Sequence, residues 1–180
     1  KELWRQGKPA TSAWSGTGDP FIIEILWHMG VDAVVIDMQH GMGITAEKAA
    51  HGFQVLSSTP AVPMARVPWN DPAQIQYVLD SGAYGVVVPL INSYDDAARA
   101  GQACRYSPKG YRSVGPNRVR LYAGDDYFTG ANEEVICLVM IEDIKTIQNK
   151  LDEICKAPGI DGLYIGPSDL SVTMGGGPGL

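Results

Sequence analysis

Charged and polar side chains stand where the apolar runs of this sequence end. The runs are short, rich in β-branched residues and free of charge up to that point, which is typical of strands buried on both faces of a parallel sheet. The groups that end them are Asp37 with His40, Arg66, Glu142, and Ser168 with Asp169. Because α/β enzymes place their catalytic groups at the carboxyl ends of such strands, we expect these side chains to share one site.

Asp37 stands three residues before His40, directly after the apolar run 33–36. A carboxylate at this spacing can fix the tautomer of an imidazole and raise its basicity, which would give a general base near neutral pH. The structural alternative is a turn into a helix, in which these polar groups only cap backbone amides.

Glu142 and Asp169 follow the last two predicted strands. Two carboxylates, with the remaining positions filled by water or substrate, suit an octahedral ion such as Mg²⁺ or Mn²⁺. The structural alternative is that each carboxylate only caps the helix that comes after it.

Two further features are candidates for binding an anion. Arg66 lies in the apolar exit of its strand. Because an unpaired guanidinium is costly to bury, it should either pair with a carboxylate of the fold or hold an anionic substrate oxygen. The segment Gly166-Pro167-Ser168-Asp169 opens a helix, and the free N–H groups of Ser168 and Asp169 could hold a carboxylate or a phosphate.

The elements that position these groups alternate between strand and helix, with short connections. This alternation predicts a parallel sheet with right-handed crossovers. We expect six clear strands with helices between them; the clear strands are 10–14, 33–36, 63–67, 84–90, 135–141 and 161–165. For residues 106–130 we expect a poorly marked strand and a long loop, followed by a short helix.

The repeated βα units favour one α/β domain over residues 1–180 with the (β/α)₈ barrel fold. A full barrel normally needs roughly 250 residues, whereas this sequence has 180. We therefore expect a barrel that is truncated before its last βα unit.

The bulk composition narrows the class of partner. The formal net charge is −6, which argues against a nucleic acid or an anionic membrane as the partner. No apolar run approaches the length of a membrane span. Three widely spaced cysteines, Cys104, Cys137 and Cys155, indicate reduced thiols and a cytoplasmic protein.

Eight segments, in order along nearly the whole chain, carry a resemblance to a known family. They are Gly18-Asp19-Pro20, Ile36-Asp37-Met38-Gln39-His40-Gly41, Arg66-Val67-Pro68-Trp69-Asn70-Asp71-Pro72, Asp80-Ser81-Gly82-Ala83, Val88-Pro89, Lys109-Gly110-Tyr111-Arg112, Ile141-Glu142 and Ile165-Gly166-Pro167-Ser168-Asp169-Leu170-Ser171. With them, the chain resembles the metal-dependent (class II) pyruvate aldolases of the HpcH/HpaI family.

The resemblance implies a (β/α)₈ barrel, commonly a hexamer built from dimers. It implies reversible retro-aldol cleavage of a 4-hydroxy-2-oxo acid to pyruvate and an aldehyde. Glu142 and Asp169 would bind the divalent metal, which could be Mg²⁺, Mn²⁺ or Co²⁺.

The resemblance also implies roles for the remaining strand ends. His40, supported by Asp37, would be the base, and Arg66 would stabilise the pyruvate enolate. The pyruvate carboxylate would bind at the turn formed by Gly166 and the amides of Ser168 and Asp169.

At two positions the comparison with the family bears on the site: Gln39 departs from the family's pattern, and Asp80 matches it. Many members have Glu where this chain has Gln39, which removes a charge beside the base. Asp80 matches a family position, but it precedes a predicted strand and would lie on the opposite face of the barrel. A role for it would require a neighbouring subunit.

Two other functions stay open at this point. A citrate-lyase-like acyl-CoA lyase of the same superfamily would need a basic groove for the nucleotide, which Arg112, Arg118 and Arg120 could supply. A non-catalytic barrel kept for assembly or ligand sensing is the other alternative, and the intact set of charged strand ends argues against it.

Overall fold

A computed structural model describes residues 1–177 of the chain. It confirms the predicted parallel sheet: six strands lie in the order of the sequence, and each pairs with the next one along the chain. The strands are β1 (Ser12–Ser15), β2 (Ala33–Asp37), β3 (Val62–Arg66), β4 (Gly85–Val88), β5 (Ile136–Ile141) and β6 (Gly162–Ile165).

Helices connect the strands. They are α1 (Glu2–Arg5), α2 (Pro20–His28), α3 (Ala46–Leu56), α4 (Pro72–Ser81), α5 (Tyr94–Ala103), α6 (Arg120–Ala123), α7 (Tyr127–Glu134), α8 (Ile144–Ile154) and α9 (Pro167–Thr173). Five begin directly after a residue whose side chain accepts backbone N–H bonds of the first turn. These capping residues are Asp19, Thr45, Asp71, Ser93 and Asp143.

The sheet is strongly curled. In a flat sheet of six strands β1 and β6 would lie about 24 Å apart, at about 4.8 Å per strand. Instead, the rings of Trp14 on β1 and Tyr164 on β6 have centroids 5.6 Å apart. The inner faces of the two edge strands therefore meet across the concave side.

The observed sheet differs from the predicted barrel in two respects. Within residues 1–177, β1 and β6 do not pair, so the six strands form a curled half-barrel and not a closed one. For residues 106–130 the predicted strand is wrong, whereas the predicted long loop followed by a short helix is present. That segment holds a single bridge between Tyr106 and Arg112, followed by α6 and α7, because prolines and glycines interrupt it.

Side chains of each strand alternate between two layers. The convex face packs against the helices around a large apolar core that includes Val34, Ile36 and Phe53. The concave face carries a smaller cluster that includes Val35, Met64 and Met140. Because residues two apart in a strand share a face, this alternation decides which strand ends face the interior.

The helices of the described part are short. The longest have 11 residues, and between residues 1 and 177 none is both long enough and apolar enough to cross a bilayer.

Candidate active site

The strand ends converge on one cavity at the carboxyl end of the half-barrel. Residues two positions beyond the concave cluster continue its inward alternation: Asp37 follows Val35, Arg66 follows Met64, and Glu142 follows Met140. A cavity of about 300 Å³ lies among them. Its walls are Trp14, His40, Arg66, Met140, Glu142, Tyr164, Gly166, Pro167, Ser168 and Asp169.

The cavity thus brings together all but one of the predicted site residues. Asp37 is the exception, since it contacts Arg66 and does not itself line the cavity. The exposure of the groups differs: Glu142 is buried, whereas His40 and Asp169 are open to solvent.

Asp37 and Arg66 form a two-point ion pair across neighbouring strands. The two residues are paired in the β2–β3 register. Arg66 Nε donates to Asp37 Oδ1 at 2.8 Å, and Arg66 Nη2 donates to Oδ2. Both side chains are largely buried, so the pair is shielded from water and its geometry is well defined.

The sequence predicts that Asp37 supports the ring of His40, and its hydrogen bonds correct this prediction. Asp37 Oδ1 accepts the backbone N–H groups of Gln39 at 3.1 Å and of His40 at 3.2 Å. The carboxylate therefore holds the turn that carries His40, while its remaining capacity goes to Arg66. The sequence spacing alone could not distinguish a bond to the ring from a bond to the backbone.

The charge state of Asp37 follows from the same contacts. Partial burial would raise the pKa of the Asp37 carboxyl, but the hydrogen bonds from Arg66 and from the backbone N–H groups of His40 and Gln39 outweigh this. Its pKa lies below the ordinary value, and Asp37 is a carboxylate at neutral pH.

Arg66 also stacks on an aromatic ring. Its guanidinium carbon lies 5.1 Å from the ring centroid of Trp14, within the range of a cation–π contact. Trp14 in turn contacts Tyr164. Asp37 on one side and Trp14 on another thus restrain a cation whose guanidinium lines the cavity.

Glu142 accepts a hydrogen bond from a backbone group just beyond the end of the neighbouring strand β4. The Leu90 N–H donates to Glu142 Oε1 at 2.8 Å. Burial raises the pKa of the Glu142 carboxyl, the Leu90 hydrogen bond opposes this, and the nearby Asp169 carboxylate raises it further. Glu142 and Asp169 are therefore close enough for their charges to interact.

These residues fit a divalent cation with oxygen ligands. Two carboxylates whose charges repel line one cavity, and a cation between them would offset the repulsion. Over residues 1–177 no group of three or more His, Cys, Asp or Glu side chains could hold a metal. A bound ion would thus complete its coordination with water or substrate, as Mg²⁺ commonly does.

The segment 166–169 begins α9. Gly166 is the N-cap and offers no side chain to the first-turn N–H groups, and Pro167 at the next position has no N–H of its own. Ser168 and Asp169 both line the cavity.

Two arginines of the 106–130 segment have structural partners. The Arg112 side chain is fully buried; it donates to Asp80 at 2.6 Å and to the Tyr127 hydroxyl at 3.1 Å. Arg118 donates to the Ser81 carbonyl oxygen. Arg112 is therefore not accessible to a nucleotide, and Asp80 has a partner within its own chain.

Sequence reasoning did not assign Met140, Tyr164 or Leu90 to the site. Met140 and Tyr164 stand two positions before Glu142 and Gly166, so the period-two alternation could have assigned them to the cavity. Leu90 contributes only its backbone N–H, and nothing in its residue type indicates that role.

Comparison with known proteins shows which family and which individual proteins this chain is similar to. The profile of the HpcH/HpaI aldolase/citrate lyase family matches residues 11–177. The chain is 39% identical to a hydroxypyruvate/pyruvate aldolase of Rhizorhabdus wittichii over 178 residues, which covers 99% of this chain and 70% of that protein. It is 35% identical to a 4-hydroxy-2-oxo-heptane-1,7-dioate aldolase of Salmonella dublin, covering 97% of this chain and 67% of that protein.

The fold has solved counterparts. The crystal structure of an HpcH/HpaI aldolase from Desulfitobacterium hafniense superposes with a TM-score of 0.88 at 26% identity, over 97% of this chain and 68% of that one. The chain therefore spans about two thirds of the length of the proteins that it matches.

Proposed function

Because the chain belongs to the HpcH/HpaI aldolase/citrate lyase family, we propose that it is a divalent-metal-dependent pyruvate aldolase. The reaction is the reversible retro-aldol cleavage of a 4-hydroxy-2-oxo acid to pyruvate and an aldehyde. The observation that carries the proposal is the shared cavity of Glu142, Asp169, Arg66 and His40. The names of the two similar aldolases support the reaction class.

Glu142 and Asp169 would hold the cation, which is Mg²⁺, Mn²⁺ or Co²⁺ because oxygen ligands discriminate poorly among these ions. When bound, the cation supplies Lewis-acid polarisation of the substrate C2 carbonyl. Burial of Glu142 and its bond from Leu90 keep the carboxylate in one position before substrate arrives.

Arg66 acts on the oxygen at which negative charge develops. Cleavage of the C3–C4 bond leaves its electron pair on the C2–C3 unit, so the C2 oxygen gains charge. A guanidinium that is already oriented by Asp37 and Trp14 stabilises this charge without reorganising during the reaction.

His40 removes the proton from the C4 hydroxyl, directly or through a water molecule. The C4 oxygen then becomes the aldehyde carbonyl as the C3–C4 bond breaks, and a proton returned by His40 or taken from solvent is added at C3 to complete pyruvate. The exposed ring of His40 can exchange its proton with solvent between turnovers.

The substrate carboxylate is assigned to the turn at Gly166 and to the N–H groups of Ser168 and Asp169. Support comes from the position of these residues on the cavity wall and from the lack of a side-chain cap on α9. The acidic net charge of −6 supports a small-molecule substrate over a nucleic acid.

The curl and the strand order support the finer description of the fold as a (β/α)₈ barrel. A homohexamer built from dimers is proposed on the family resemblance alone, and light scattering coupled to size-exclusion chromatography tests it.

The function is tested by measuring pyruvate release from a 4-hydroxy-2-oxo acid. We expect release with Mn²⁺ or Mg²⁺, none after EDTA treatment, and recovery when the metal is restored. Undiminished turnover in EDTA would reject the metal-dependent mechanism. Thiol release from an acyl-CoA thioester, without pyruvate release from the 2-oxo acid, would favour the citrate-lyase-like alternative.

A further inference from the structure

The Glu142 carboxylate lies between two backbone groups that come from different strand ends. On one side Leu90 donates its N–H to Oε1 at 2.8 Å. On the other side Oε2 lies over Gly166, where an added Cβ would be 2.4 Å from Oε2 and 2.9 Å from the Cβ of Glu142. Both distances are shorter than Cβ atoms tolerate, so the carboxylate occupies space that only a glycine leaves free.

Gly166 is needed here for space and not for its conformational freedom. Its φ of −90° and ψ of 97° are accessible to other residues. The third contact of the added Cβ, at 3.1 Å, is the terminal methyl of Met140, which can move aside. The Glu142 Cβ cannot, because it is attached to the backbone at the end of β5.

Leu90 completes the arrangement from the other side. Its φ is +56°, and among residues 1–177 it is the only non-glycine residue with a positive φ. Such a conformation persists only where the surrounding structure imposes it, and it is enriched at functional sites. Here the N–H of this residue donates to Glu142.

We propose that Gly166 is a positioning residue for the divalent-metal site: its missing side chain lets the Glu142 carboxylate keep the position in which it can share an ion with Asp169. This inference rests on the proposed function, since the ion is the one that the aldolase reaction requires. A methyl group at position 166 would turn the carboxylate away, and the bond from Leu90 or the approach to Asp169 would be lost.

The test is direct Mn²⁺ binding, measured by titration calorimetry and by electron paramagnetic resonance without substrate. We expect Gly166→Ala to bind Mn²⁺ about 10- to 100-fold more weakly than the wild type, the range found when groups that orient metal ligands are removed. Gly166→Ser adds a capping hydroxyl that the native N-cap lacks, but it also adds the Cβ, so it should lose the same affinity.

Gly162→Ala is the matched control, at the start of β6, the strand that Gly166 follows. Its added Cβ would meet only the Cδ2 of Leu138, at 3.3 Å, which is the end of a flexible side chain. It should bind Mn²⁺ as the wild type does. In a Glu142→Gln background, Gly166→Ala should cause no further loss, because the residue acts through Glu142.

If Gly166→Ala does not fold, the double variant Gly166→Ala, Met140→Ala takes its place. It removes the clash of the added methyl group with Met140 and keeps its clash with Glu142. This double variant should still bind Mn²⁺ more weakly than Met140→Ala. Wild-type affinity in folded Gly166→Ala would overturn the inference alone. Absence of Mn²⁺ binding by the wild type would overturn the metal site of the proposed function, and this inference with it.

Discussion

The carboxylate of Asp37 and the guanidinium of Arg66 meet at two points across the paired ends of β2 and β3. Asp37 also accepts the backbone N–H of His40. One buried carboxylate thus orients the proposed enolate-stabilising cation and holds the turn that carries the proposed base.

Replacing Asp37 by Asn tests which of these two roles matters for catalysis. We expect kcat/KM to fall about 10²-fold, as for other small misplacements of catalytic groups, because Arg66 loses its fixed orientation. The acidic limb of the pH–rate profile should stay in place, since the hydrogen bond that joins the two residues comes from the His40 backbone N–H and not from its ring. A shift of that limb by a full pH unit would show that the carboxylate acts on the imidazole.

Arg66→Lys is the companion variant. It keeps the positive charge but cannot form the two-point contact with Asp37 or stack in the same way on Trp14. Its kcat should fall while the Mn²⁺ affinity stays that of the wild type. Wild-type kcat in Arg66→Lys would show that a point charge is sufficient.

The lowered pKa of Asp37 also predicts how stability depends on pH. The unfolded carboxyl titrates near its ordinary pKa of about 3.9, and the folded one titrates lower. The stabilisation is therefore complete above the unfolded pKa and is lost as the pH falls through the folded pKa. Urea unfolding of the wild type and Asp37→Asn should show a free-energy gap that narrows below about pH 4. A gap that widens on acidification would contradict this sign.

His40→Ala tests the proposed base. Pyruvate release should fall about 10²- to 10⁴-fold, the usual contribution of a general base, with Mn²⁺ binding retained. His51→Ala, at an exposed position of α3 outside the cavity, is the control and should keep full activity. Equal turnover in the two variants would remove His40 from the mechanism.

Asp80→Ala separates a structural role from a catalytic one. It leaves the fully buried Arg112 without its carboxylate, so the free energy of unfolding should drop by about 3–5 kcal/mol. The kcat of the folded fraction should stay unchanged. As a control, Asp125→Ala breaks the exposed pair with Arg120 and should cost less than about 1 kcal/mol. A lower kcat in folded Asp80→Ala would give that residue a role in the reaction.

The sequence predicts the elements of this fold well because their signals are local. Asp19-Pro20 and Asp71-Pro72 indicate helix starts, because the side chain of each Asp accepts backbone N–H bonds of the first turn. The apolar runs likewise indicate which residues of each strand are buried. The charged groups that line the cavity could be predicted for the same reason, since each one lies at or just after the end of its own strand.

What could not be predicted depends on neighbours that are distant in sequence. The partner of Asp37 is decided by the β2–β3 register, which no signal within residues 37–40 reveals. The segment around Arg112 has only a weak strand pattern in its sequence. It is held in place by the hydrogen bonds of Arg112 to Asp80 and Tyr127, which are distant in sequence. Leucine at position 90 is a residue type common in strands. That type does not indicate its positive φ or the hydrogen bond that its N–H donates to Glu142.

The most direct test of the central claim is a crystal structure of the protein with pyruvate and Mg²⁺. The account predicts one ion bound by the carboxylates of Glu142 and Asp169, with the C2 oxygen of pyruvate facing Arg66. An ion bound elsewhere, or pyruvate bound away from Arg66 and both carboxylates, would contradict it.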